Sequence, residues 1–309
     1  MLRFITQRVV MLVVTLWVII TITFILMNLA PGSPLNKEGN QPAEVRANLE
    51  RYYGLDKSFP EQYLKYFENL LHGDLGPSYF SKSRTVNEII ADHFPVSATL
   101  GAGALGFALF FGLLLGIVAA LRRNTWVDYT ATGIAVFGVS IPNLVLGPIL
   151  IMIFAVGLGW FPIARWDSLA SIVLPTVALG MHSTAVVARL MRSNMLEVLS
   201  QDYIRTAKSK GLTNLAVVWK HTVRNAIMPI ITIMGPLIAS LLTGTFVIEQ
   251  VFAIPGLGKY FVNSVTKRDY PVIMGTTIFF GAILIIANFI VDILYSIIDP
   301  RIKIGTRED

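Results

Sequence analysis

The chain has 309 residues, 54% hydrophobic and only 14% charged, with a formal net charge of +6 and no cysteine. Soluble domains carry about 25% charged residues, so a soluble globular class is excluded, as are disulfides, thiolate metal sites and cysteine nucleophiles. The basic balance requires no nucleic acid, because cytoplasmic segments of membrane proteins favour Lys and Arg.

A helix needs about 20 apolar residues to cross about 30 Å of hydrocarbon, and six uncharged stretches reach that length. The first is Val9–Leu29. Its apolar core exceeds the roughly 7–15 residues of a cleaved signal, so residues 1–29 read as a short N-terminal segment and a retained first span. Residues 30–95 then read as a small helical cap. Tyr63, Leu64, Phe67, Leu70 and Leu71 recur at helical spacing and predict a helix over Pro60–Leu71. Pro42–Tyr53 and Val86–Phe94 are two shorter candidates, with turn signals at Gly54, Gly73 and Gly76–Pro77.

A core over residues 96–298 holds the other spans, expected at Val96–Leu121, from Tyr129 past Phe161, and at Ser168–Ala188, Ile227–Ile248 and Val272–Val291. The third of the six, with Pro142, Pro148 and Pro162, is long enough to span, bend and exit. Gly112 and Gly116 form a GxxxG pair in the second, a spacing that lets helix backbones approach closely. Pro142, Pro148, Pro175, Pro229 and Pro236 interrupt later spans. Backbone groups freed there must find partners inside the protein or in a water-filled cavity, which favours a bundle that moves or encloses a path. No repeat of fixed period is present.

Of the 25 Lys and Arg residues, 14 fall in the N-terminus, the segments after the second and fourth spans, and residues 299–309. Seven of the others lie in the long stretch 30–95, which the positive-inside rule counts weakly. Both termini are therefore expected in the cytoplasm, and the cap outside.

Catalytic signals are nearly absent. His72, His93, His182 and His221 have no metal-ligand spacing. The run Gly256-Leu257-Gly258-Lys259 resembles half a phosphate loop, but Tyr260 follows the Lys and Ala253 takes the first glycine position. Asp292 and Glu249 lie near span ends, as partnered or interface-level charges do. No chain of Asp, Glu or His crosses the core, so neither an enzyme nor an ion-coupled transporter is favoured.

The inner segment between the fourth and fifth spans, residues 189–226, carries the strongest pattern. Leu196, Leu199, Tyr203, Ile204 and Ala207 predict a helix over Met195–Lys210, with Lys208 and Lys210 in the last turn and Gly211 as its stop. A second pattern runs Asn214–Asn225 and sets Leu215, Val218 and Val223 among Lys220, His221 and Arg224. Such a pair either docks another protein or lies on the bilayer surface.

The run from Glu197 through Tyr203, Ile204, Arg205, Thr206, Ala207, Lys208 and Lys210 to Gly211 and Leu212 resembles the EAA loop of bacterial ABC importer permeases. Arg205 stands where many families have Glu, and Val223–Arg224 where many have Leu-Pro. Both departures resemble the oligopeptide/dipeptide/nickel branch. So do Pro31-Gly32-Ser33-Pro34, Gly73-Asp74-Leu75-Gly76-Pro77-Ser78, Ile254-Pro255-Gly256-Leu257-Gly258, Arg268-Asp269-Tyr270 and Asp299-Pro300-Arg301, so the resemblance covers nearly the whole chain. The Pro-Gly-Ser-Pro and Gly-Pro-Ser runs look most like oligopeptide permeases of the B type.

The resemblance implies an all-α type I ABC importer permease of six spans in the bacterial cytoplasmic membrane. It implies a homologous C-type permease partner, two cytosolic ATPases that hold ATP and magnesium in place of this chain, an extracytoplasmic peptide-binding protein and a peptide cargo. Glu197 to Gly211 would couple to an ATPase. Gly211 would make the turn, Tyr203, Ile204, Thr206 and Ala207 would pack into its groove, and Arg205, Lys208 and Lys210 would add polar contacts. Glu249, Pro255, Gly256, Gly258, Arg268, Asp269 and Tyr270 are candidates for receiving the binding protein.

Overall fold

The computed structural model describes residues 2–29, 43–81, 84–243 and 245–298. Pro31 to Pro34, Asp299 to Arg301 and the side chain of Asp292 lie outside the described residues. The chain is all-α: among the described residues there is no strand, only an isolated bridge between Pro77 and Thr85. Five helices are long and apolar enough to cross a membrane, and the count is six when a bent helix pair is taken as one broken span. The chain divides into two units, residues 1–97 with 255–286 and residues 98–254 with 287–309.

The first unit contains α1 (Leu2–Leu29), α2 (Ala43–Tyr53), α3 (Phe59–Leu71), the start of α4 (Val86–Leu121), α13 (Leu257–Lys267) and the first half of α14 (Tyr270–Ile298). Pro60 sits in the first turn of α3, where its missing N–H costs nothing, and Glu61 accepts from the Ser58 N–H at 3.0 Å. The buried face of α3 is turned slightly from the expected one. Tyr63, Tyr66, Phe67 and Leu70 pack on Ile20 and Phe24 of α1 and on Met274 and Ile278 of α14. Leu64 and Leu71 are instead 65% and 73% exposed.

Val86–Phe94 is not a separate cap helix. It forms the first turns of α4, a helix of 36 residues that continues through Pro95. Thr85 and Glu88 make a reciprocal capping box, Thr85 N–H to the Glu88 carboxylate at 2.9 Å and Glu88 N–H to Thr85 Oγ1 at 3.2 Å. Val86, Ile89 and Ile90 then bury against Leu257 of α13 and Val272 of α14, which anchors the helix on the near side of the proline.

The second unit comprises the rest of α4, α5 (Trp126–Ser140), α6 (Asn143–Leu150) with a π-helical end (Ile151–Gly157), α7 (Leu169–Leu199), α8 (Asp202–Ser209), α9 (Asn214–Ala216), a π-helical stretch (Val217–Val223), α10 (Arg224–Ala226), α11 (Met228–Thr243), α12 (Thr245–Val251) and the end of α14. The expected third span is the bent pair: α5 and α6 meet at 109°. Ile141 is extended (φ −98°, ψ 119°), as steric conflict with the following Pro142 requires. Pro229 does not interrupt its span, because it falls in the first turn of α11.

The Gly112/Gly116 pair does seat a helix. A Cβ at Gly112 would stand 2.8 Å from Val187 Cβ, and one at Gly116 would stand 2.6 Å from the Ala188 carbonyl oxygen. Backbone contact at this distance leaves no room for a side chain, so α4 and α7 touch along these residues. On another face α7 packs against α5 through Ala185, Ala188 and Ala135.

Candidate functional site

The candidate site is the end of α7 together with α8, the turn at Gly211 and the return segment to Ala226. α7 continues past the expected end of its span at Ala188 to Leu199. The helix expected over Met195–Lys210 is two helices: Ser200 ends α7, Gln201 is extended (φ −73°, ψ 149°), and α8 begins at Asp202. Glu197 therefore belongs to α7, where it is exposed, and not to the short helix. The apolar spacing survives the break, so periodicity could not detect it.

α8 is held by one face. Ile204 (1% exposed) and Ala207 (6%) pack on Val217 and Val198. This corrects the expectation that they fill a partner's groove, since the chain itself already buries them. The free face carries Tyr203, Arg205, Thr206, Lys208 and Lys210, all exposed. Arg205 lies 3.6 Å from Asp202, with both side chains largely in solvent, so this pair adds little stability.

Gly211 ends α8 as expected, with φ +79°. Its N–H donates to the Lys208 carbonyl at 3.0 Å, and the Leu212 N–H donates to the Ala207 carbonyl at 3.4 Å, the two bonds of a Schellman turn. The chain then returns through Thr213, whose hydroxyl caps α9. The second predicted helix, Asn214–Asn225, is present but widened to π geometry over Val217–Val223. Asn194 of α7 donates to the Ala226 carbonyl at 3.3 Å, and Asn225 donates to the Tyr203 hydroxyl at 3.3 Å, which ties the return strut to both helices.

One pair beneath this segment was missed by sequence reading. Arg192 of α7 grips Asp128 of α5 in a two-pronged ion pair, Nε to Oδ1 at 2.6 Å and the second prong at 2.8 Å. Asp128 is 2% exposed. It also accepts from the Asn124 N–H at 3.0 Å and so holds the turn between α4 and α5. A usable signal existed: Asp128 is the only acidic residue between Asp92 and Asp167.

The residues expected to receive a binding protein are mostly interior. In the second unit, Glu249 is fully buried. In the first, Gly256, Gly258 and Asp269 are buried, Arg268 and Tyr270 half-buried, and Pro255 exposed. Gly256 precedes α13, whose Leu257 N–H donates to Ser97 Oγ at 2.9 Å, so this half phosphate loop serves to pin a helix start. Asp269 accepts from Ser78 Oγ at 2.5 Å and from the Tyr79 N–H at 3.1 Å. Burial pushes its carboxyl above the ordinary value, against the downward pull of these hydrogen bonds. Asp269→Ala strands the Ser78 hydroxyl and the Tyr79 N–H, an effect of about 1–3 kcal/mol. Hydrogen exchange across residues 76–81 is expected to speed up accordingly, and unchanged protection there would contradict this role. Among the described residues, no three His, Asp or Glu side chains are placed to hold a metal ion.

Two family models match: "Binding-protein-dependent transport system inner membrane component" over residues 112–304, and its N-terminal companion over residues 1–101. The dipeptide transport system permease protein DppB of Bacillus subtilis is 52% identical over 98% of this chain and 99% of its own length. The oligopeptide transport system permease protein OppB of Salmonella typhimurium is 44% identical over 98% of this chain and 100% of its own length. The preference for the oligopeptide type is therefore not sustained, because dipeptide permeases are matched at least as well. Among solved structures, the MetNI methionine ABC transporter in inward-facing conformations superposes on 68% of this chain and 96% of the matched chain, with TM-score 0.55 and 18% identity. A second, an amino acid ABC transporter with histidines, covers 70% and 95% at TM-score 0.51 and 18% identity. These two share the fold. With both family models and full-length relatives in agreement, the chain belongs to the binding-protein-dependent transport system inner membrane components, within the dipeptide and oligopeptide branch of ABC permeases.

Proposed function

We propose that this chain forms one half of the translocation path of an ATP-driven peptide importer and receives the ATPase stroke on α8. Its termini face the cytoplasm. A homologous permease supplies the other half, two cytosolic ATPases hold ATP and magnesium, and an extracytoplasmic binding protein delivers peptide to the cap side. Dipeptides and oligopeptides are both within the cargo class.

The observation that carries this reading is the orientation of α8. A helix that lies on a bilayer turns its apolar face to lipid, whereas α8 buries Ile204 and Ala207 against its own chain. What remains outside is a short, basic, hydrogen-bonding ridge on a rigid support, suited to a protein groove. Large hydrophobic side chains are exposed in this segment at Tyr203 (44%) on α8 and, after the turn, at Leu212 (39%), Leu215 (71%) and Trp219 (57%).

Cysteines at Thr206 or Lys208, paired with cysteines in the ATPase groove, are expected to crosslink efficiently, and one at buried Ala207 poorly. Crosslinking at Trp219 but at neither Thr206 nor Lys208 would place α8 elsewhere. Uptake in proteoliposomes should require ATP and all subunits, and uptake by this chain alone on an ion gradient would overturn the proposal.

A further inference from the structure

A groove runs between α4, α5 and α7 beside the Asp128–Arg192 pair. Ala119 of α4, Ala131 and Ala135 of α5 and Ala188 of α7 line it with Leu115 and Val136. The four short alanine side chains leave the gap open. Its volume is about 130 Å³, close to the roughly 150 Å³ of an apolar cavity that admits a benzene-sized guest. It takes a stretch of hydrocarbon chain, not a whole small molecule.

The rim of this apolar groove is basic. Arg189 and Arg192 both line it, and Arg189 is exposed. Arg122 follows Ala119 by about one helical turn, its N–H still bonded to the Val118 carbonyl at 3.0 Å. Across residues 96–140 and 169–196 the charged side chains are Arg122, Arg123, Arg189, Arg192 and the single acid Asp128. Arg192 matches Asp128 with two of its five N–H groups and keeps the others. Within these helices Arg122, Arg123 and Arg189 are left without a counter-charge.

The flanks of the groove show what surrounds it. Trp126 and Tyr129, in the first turn of α5, are 75% and 69% exposed, and such aromatics collect where a bilayer meets water. Further along, Ile134 and Val136 of α5 and Leu114 of α4 are also exposed. Both helices therefore turn apolar side chains to hydrocarbon, while the arginines stand near headgroup level. A soluble anion would leave the groove empty, and an uncharged chain would leave the arginines unmatched. A molecule with a hydrocarbon chain and a phosphate satisfies both at once, and a guanidinium fork fits phosphate oxygens in pairs.

We propose that this groove holds one acyl chain of an anionic phospholipid, with the phosphate on Arg189 and on the remaining donors of Arg192. Arg122 and Arg123 add to the positive field around the headgroup. The lipid wedges the same helices that the Asp128–Arg192 pair clamps. Its leaflet is the cytoplasmic one on the orientation proposed above, but the site rests on the groove and not on the role of α8.

The test uses the full-length chain in nanodiscs of mixed phosphatidylethanolamine and phosphatidylglycerol. A trace of either lipid carries a photoreactive diazirine in one acyl chain, and labelling of residues 112–140 is read by mass spectrometry. Phosphatidylglycerol is expected to label this segment at least about fivefold more than phosphatidylethanolamine, the factor that one arginine near the headgroup supplies. Arg189→Gln is expected to remove most of that preference. Arg165→Gln takes the same charge from an exposed side chain outside the groove and is expected to leave it intact. Equal labelling by the two lipids, or the same change in both variants, overturns the proposal. Misfolding does not mimic the expected result, because it would lower both labels together. In the assembled transporter the labelling is expected to persist, and its loss there would make the groove a contact between subunits and overturn the lipid assignment. None of these readouts measures transport, so failure of the importer reading would leave them standing.

Discussion

Replacing Asp128 with alanine is expected to destabilise the protein by about 3 kcal/mol, the low end for stripping one member from a buried ion pair. The low end applies because Arg192 is 30% exposed and can turn partly to water, whereas Asp128 is 3% exposed at its side chain. The double variant Asp128→Ala/Arg192→Met removes both charges and should recover most of the electrostatic part, since apolar replacement of a buried pair is often neutral. It should not recover everything, because the Asn124 N–H, in the left-handed turn between α4 and α5 (φ +60°), still loses its acceptor. Thermal unfolding in detergent reads both effects. A single variant as stable as the parent, or a double variant worse than the single, would show that the pair is not a structural clamp. Function adds a second readout. Arg192 lies on the same helix that ends at Leu199 and carries α8 beyond it, so a loosened α5–α7 contact should lower peptide transport more than ATP hydrolysis.

The spans could be read from sequence because the bilayer demands long uncharged runs, and such runs are visible one residue at a time. The bend at Ile141–Pro142 was equally accessible, since a proline restricts its predecessor locally. Pro95 shows where that logic stops. It marks a boundary in sequence, yet the capping box at Thr85 and the burial of Val86, Ile89 and Ile90 on α13 and α14 carry one helix straight through it. The break at Ser200 failed in the opposite sense, because Leu196, Leu199, Tyr203, Ile204 and Ala207 keep helical spacing across it. For the same reason periodicity finds the apolar face of α8 but cannot say whether Ile204 meets its own chain or a partner. Asp128 and Arg192 are 64 residues apart, and nothing local in either neighbourhood announces the other. What sequence conveys poorly is which surfaces are already occupied by the chain itself.

Gly211 offers the second large effect, and here the expected cause is backbone conformation alone. A Cβ at this position would meet nothing within 4 Å, while the φ of +79° belongs to the left-handed region. For a residue with a Cβ that region costs roughly 1–2 kcal/mol, enough to bias the turn against its native form by about 5- to 30-fold. Gly211→Leu and Gly211→Ala should therefore loosen the Schellman turn that ends α8, with membrane insertion and protein level intact because the residue lies outside the spans. Gly211→Asn should retain most function, because asparagine tolerates this conformation and ends helices in the same way. The measurement is peptide transported per ATP hydrolysed in the reconstituted complex. Loss in the leucine and alanine variants with retention in the asparagine variant would tie coupling to the left-handed turn. Equal loss in all three would instead mean that a partner surface presses on Gly211 itself and leaves no room for any side chain.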